Sequence, residues 1–118
     1  MSNNKGWIGV DLDGTLAEYN GWVSELHIGK PIPAMVNRIK LWLSEGKNVK
    51  IFTARVAQWD DGSKDVEKVR AIIEAWVAEH IGTALPITNV KDYLMVELWD
   101  DRAIQIIPNT GIRADGKP

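Results

Sequence analysis

The chain has 118 residues, a formal net charge of −2, 45% hydrophobic and 25% charged residues and no cysteine. That length supports one domain with a real core and argues against two. The balance excludes a disordered or strongly basic nucleic-acid-binding chain, and the lack of cysteine excludes disulfides, thiolate metal sites and a cysteine nucleophile. No apolar run reaches the ~18 residues of a membrane span, and Met1–Lys5 lacks the apolar core of a signal peptide. A soluble, cytoplasmic protein that contacts no membrane is therefore expected.

Residues 6–11 form a short, continuous apolar run, which predicts a buried strand. It ends in Asp11-Leu12-Asp13-Gly14-Thr15. Residues i and i+2 of a strand face the same side, so Asp11 and Asp13 converge if the chain stays extended. Three readings compete here: an ordinary Asp-Gly turn, a calcium loop, or a carboxylate pair around a cation. A calcium loop needs Gly at its sixth position and Glu at its twelfth, where this chain has Leu16 and Trp22.

Residues 16–32 read as a loop-rich flap in which Trp22-Val23 forms a small hairpin. Pro31 and Pro33 announce a helix over 34–45, with Met35, Val36, Ile39, Trp42 and Leu43 on one face. Residues 48–53 predict a second strand ending at Thr53, followed by a polar loop over 54–62. Ser63 is the expected N-cap of a helix running to Ile81, with Val66, Val69, Ile73, Trp76 and Val77 as its stripe. Residues 86–88, 94–99 and 103–107 predict three further strands, with Asn89–Asp92 a polar turn and 108–118 a tail. Trp42 and Trp76 are expected in the core, and His27 and His80 in no catalytic role. Strands alternating with helices predict an α/β fold: a mostly parallel, Rossmann-like sheet in three layers, with helices on both faces.

In such sheets active groups gather beyond the C-terminal strand ends. Four of these ends carry polar residues: Asp11 and Asp13; Thr53 followed by Arg55; Lys91; and Asp100 and Asp101. Asp11, Asp13 and Asp100 or Asp101 supply hard oxygen ligands suited to magnesium. Thr53 and Lys91 together suit the oxygens of a phosphoryl group. One carboxylate would attack phosphorus, and the other would protonate the leaving oxygen and activate water. The glycine-rich nucleotide loops and the serine-hydrolase elbow are absent.

These residues, in this order, resemble the four motifs of the haloacid dehalogenase superfamily of phosphohydrolases over roughly residues 6–107. The first is Asp11-Leu12-Asp13-Gly14-Thr15-Leu16, the second Thr53, the third Lys91 and the fourth Asp100-Asp101. The resemblance implies a magnesium-dependent phosphomonoester hydrolase with Asp11 as nucleophile and Asp13 as general acid/base, its pKa raised to donate a proton near neutrality. It implies Thr53 and Lys91 as phosphate binders, with Arg55 a further contact. Asp11, the Asp13 backbone carbonyl and Asp100 would hold Mg2+, with Asp101 a second ligand or a support.

Only the flap stands where larger members carry a cap domain. An open site suits a small phosphoester, a nucleic-acid end, or a second subunit as lid in a homodimer. The compact size and the Asp100-Asp101-Arg102 run resemble the 3′-phosphatase domain of phage-type polynucleotide kinases, although Thr53-Ala54-Arg55 departs from the hydroxyl-Gly-Arg found there. The alternatives are a nucleic-acid 3′-phosphatase specifically, or a non-catalytic phosphate- or nucleotide-binding module. Trp22 and Trp59, at the expected mouth, suit either base stacking or a subunit contact.

Overall fold

A computed structural model describes residues 6–118. Its elements are β1 (Trp7–Val10), α1 (Pro33–Ser44), β2 (Val49–Phe52), α2 (Val66–Ile81), β3 (Ile87–Thr88) and β4 (Met95–Trp99), with a 3-10 turn over Ala54–Val56. All strand pairings are parallel, in the order β3-β2-β1-β4. This is the α/β parallel sheet that the alternation of elements predicts. Among the described residues no helix is long and apolar enough to cross a membrane.

β1 lies inside the sheet and every one of its residues is buried, which explains its unbroken apolar run. Ile8, Val10, Val49, Ile51 and Ile87 share one cluster with Met35 and Ile39 of α1 and with Val69, Ile73 and Val77 of α2. Both helices therefore cover the same sheet face. Each crossover steps one strand in the same direction, and right-handed connections then put both helices on one side. The expected helices on both faces are not formed by this pair. The other face carries Trp7, whose ring lies 6.5 Å from that of Phe52 and 4.5 Å from the Lys50 ammonium.

Three local expectations change. Asp65, not Ser63, caps α2 by accepting from the Lys68 amide at 3.0 Å, while the Ser63 hydroxyl donates to Asp61 at 2.7 Å. Residues 103–107 form no strand; one antiparallel bridge joins Ile106 to Arg113. Trp22 and Val23 form no hairpin. Their loop is instead pinched at its base, where the Glu18 amide donates to the Lys30 carbonyl and the Ile32 amide to the Leu16 carbonyl, both at 2.8 Å. Trp42 is core, 8% exposed. Trp76 is only partly buried, and its indole N–H donates to the Gly29 carbonyl of that loop.

Candidate functional site at the C-terminal strand ends

The chain steps from β1 through β2 to β3 on one side, and β4 then returns to the opposite side of β1. The crevice of an open parallel sheet forms where strand order reverses in this way. The register pairs Val10 with Trp99, and the Asp11 amide donates to the Trp99 carbonyl at 2.9 Å. The next residues out are Asp11 and Asp100, so the sheet brings together two carboxylates 89 positions apart.

Carboxylate oxygens of Asp11, Asp100 and Asp101 lie within 4.8 Å of one another. The Arg102 amide donates to Asp100 Oδ1 at 2.7 Å and fixes that carboxylate. The Thr15 hydroxyl accepts from the Asp101 amide at 3.0 Å and lies 3.4 Å from Asp101 Oδ1 and 3.5 Å from Asp11 Oδ2. Burial, then the charge of Asp100, then Asp101 and Asp13 push the Asp11 pKa from 3.8 to about 7. Converging carboxylates that resist simultaneous ionisation are what a hard divalent cation relieves. The all-oxygen donor set fits a hard cation such as Mg2+, which the carboxylates of Asp11, Asp100 and Asp101 could hold.

The Asp13 carboxylate stands outside the acidic cluster, and the metal contact expected of this residue is through its backbone carbonyl. Both carboxylate oxygens accept from Arg55, Oδ2 from Nε at 2.7 Å and Oδ1 from Nη2 at 2.8 Å. Arg55 Nη1 also donates to the Glu25 carbonyl at 3.0 Å, which ties the flap loop to the sheet. The guanidinium is largely buried, its side chain 9% exposed. Asp13, Arg55 and Tyr19 line both a crevice of about 420 Å³ that holds the acidic cluster and a cavity of about 560 Å³ behind the flap. The Arg55–Asp13 pair stands on the wall between them.

Thr53 sits where expected, 3% exposed on the crevice wall. Its oxygen accepts from the Arg55 amide at 3.1 Å, which leaves the hydroxyl hydrogen to donate. Lys91 is exposed and lies outside the crevice lining. The next residue, Asp92, turns away to accept from the Trp7 indole at 2.8 Å. Lys64, which sequence reasoning missed, lines the crevice instead, 9% exposed, with Nζ donating to the Ala57 carbonyl at 3.0 Å. Desolvation lowers its pKa. The sequence places it just after Ser63, in the first turn of the expected helix, which gave no sign of burial. Thr15 was likewise assigned no role, although its place four residues after Asp11 was visible.

Gly14 has φ +87°, and a Cβ there would collide with the Asp101 carboxylate. Gly14→Ala is expected to cost about 1–3 kcal/mol through left-handed strain and to weaken magnesium binding by displacing Asp101. Thermal unfolding with and without Mg2+ reads both effects; a variant matching the parent in both would show that Gly14 does not shape the cluster.

No protein-family model matches the chain, and no curated protein is similar to it. A solved structure of a conserved protein from Bacteroides thetaiotaomicron is similar, with 23% identity, a TM-score of 0.57, and coverage of 87% of this chain and 81% of that one. This likeness concerns the fold: the chain is an α/β protein built on a parallel, Rossmann-like sheet.

Proposed function

We propose that the protein is a magnesium-dependent phosphomonoester hydrolase of the haloacid dehalogenase type. One observation carries the reading. Asp11, Asp100 and Asp101 converge within 4.8 Å at the strand-order reversal, where a phosphate would also meet Thr53 and the Arg55 side of the crevice. A cytoplasmic setting, expected from the sequence, belongs to the same proposal.

In this mechanism an Asp11 oxygen bonds to phosphorus as the ester P–O bond breaks, giving an aspartyl-phosphate and an alkoxide. Asp13 gives the leaving oxygen its proton. A water then attacks phosphorus, returns a proton to Asp13 and releases Asp11 and phosphate. Bound Mg2+ would offset the negative charge of the phosphoryl oxygens beside these carboxylates. Thr53 orients one phosphoryl oxygen through its hydroxyl hydrogen. Because Arg55 engages both Asp13 oxygens, proton exchange at Asp13 requires that pair to shift when substrate enters.

The same ion pair favours a second reading, a non-catalytic phosphate- or nucleotide-binding module in which Asp13 never exchanges protons. Phosphate release from a panel of monoesters, measured with Mg2+ and with chelator, separates the two. Metal-dependent turnover is expected; saturable binding without turnover of any ester would establish the module.

A further inference from the structure

Four aromatic side chains are strongly exposed among the described residues: Tyr19 at 47%, Trp22 at 60%, Trp59 at 45% and Tyr93 at 99%. Three of them, Tyr19, Trp22 and Trp59, line the crevice of the acidic cluster. Aromatic rings left in water forgo favourable burial, so their concentration at one opening points to a ligand that covers them.

The wall beneath them is built. The buried Lys64 ammonium lies 5.6 Å from the centre of the Trp59 ring, within cation–π range, and is anchored on the Ala57 carbonyl. The Gln58 side chain accepts from the amides of Trp59 and Lys64 at 2.9 and 2.8 Å, which holds that loop in shape. Trp22 rides on the flap loop, which Arg55 ties down through the Glu25 carbonyl. The ring contacts among the described residues are Trp7–Phe52, Trp42–Trp99 and Trp76–His80, so Trp22 and Trp59 stack on no other ring. Arg55 joins Asp13 to the Glu25 carbonyl of the Trp22 loop, whereas Asp11, Asp100 and Asp101 form the separate carboxylate cluster. The aromatic wall thus lies on the Arg55 side of the crevice, away from the carboxylate trio.

We infer that this wall seats the nucleobase of a nucleoside monophosphate whose phosphate points toward Asp11. The inference rests on the phosphohydrolase reading and assigns its leaving group. A base has a flat π-face for the indoles, and Glu25 and Lys64 offer an acceptor and a donor near its edge. The crevice, about 420 Å³, falls in the range of small-molecule sites. Charge separates a mononucleotide from a nucleic-acid strand. The chain is net −2, and Glu18, Asp60 and Asp61 are exposed near these aromatics in sequence. Further phosphates of a strand would meet repulsion where binding needs a cationic track.

The test compares a nucleoside 5′-monophosphate with ribose 5-phosphate, which lacks only the base, using the full chain with Mg2+. Base stacking worth ~1–3 kcal/mol predicts that kcat/KM favours the nucleotide by about 5- to 150-fold. Trp59→Ala and Trp22→Ala should each move that ratio toward one. A ratio near one, or a ratio unmoved in both variants, overturns the inference while leaving the phosphohydrolase reading intact. A 3′-phosphorylated oligonucleotide that outcompetes the mononucleotide also overturns it, in favour of a strand end. If no ester is turned over, tryptophan fluorescence decides: quenching by the nucleotide and not by ribose 5-phosphate supports the base seat, and equal or absent quenching overturns it.

Discussion

Asp11→Asn is expected to abolish phosphomonoester turnover, by about 10⁴-fold or more, while leaving the fold intact. Amide for carboxylate keeps the shape but removes the attacking oxygen, and knockouts of a covalent nucleophile reach this size. The Asp11 amide bond to the Trp99 carbonyl is made by backbone and survives the change. The substitution also removes one of three crowded charges, so the metal-free variant should unfold at or above the parent's temperature at pH 8. Phosphate release and thermal unfolding measured on the same preparation check both parts. A variant that keeps near-parental turnover would rule out the covalent mechanism, and one that fails to fold would show that Asp11 is structural.

The second large effect is a pH-dependent stability that magnesium erases. The Asp11 pKa is raised in the folded state from 3.8 to about 7. Between those values the folded protein holds more protons than the unfolded chain, so unfolding free energy falls as pH rises from about 4 to 7. The stabilisation is full below the unfolded value and lost above the folded one. The side chain is only half-buried, and solvent screening reduces the effect to about 1–2 kcal/mol, or roughly 5 °C in Tm. Metal-free protein should therefore melt lower at pH 8 than at pH 5. Added Mg2+ should raise Tm at pH 8 through binding to the native state and do little at pH 5, where a proton holds Asp11. Equal magnesium shifts at both pH values would mean that Asp11 is not a ligand.

Much of the scaffold was legible in the residues alone. The apolar run before Asp11, the three-and-four spacing from Met35 to Leu43 and the polar ends at Asp11, Thr53 and Asp100 are short-range signals. Periodicity and strand termination depend on neighbours a few positions away. The run over 103–107 misled for the same reason: Ile104, Ile106 and Ile107 have strand character, but residues 105–107 turn back toward 112–114 instead of joining the sheet. Ser63 misled as a cap because Asp65, two residues on, makes the bond to the Lys68 amide.

The makeup of the site was decided at longer range. Sequence alone established that carboxylates end the first and fourth strands, a hydroxyl ends the second, and a parallel sheet would collect them. Only the tertiary structure put β4 beside β1, set both Asp100 and Asp101 against Asp11, added Thr15 to the cluster, clasped Asp13 with Arg55 and exchanged exposed Lys91 for buried Lys64. Strand order and the Arg55–Asp13 clasp join segments some forty to ninety residues apart, and no pattern of residue types encodes which of two lysines the folded chain will enclose.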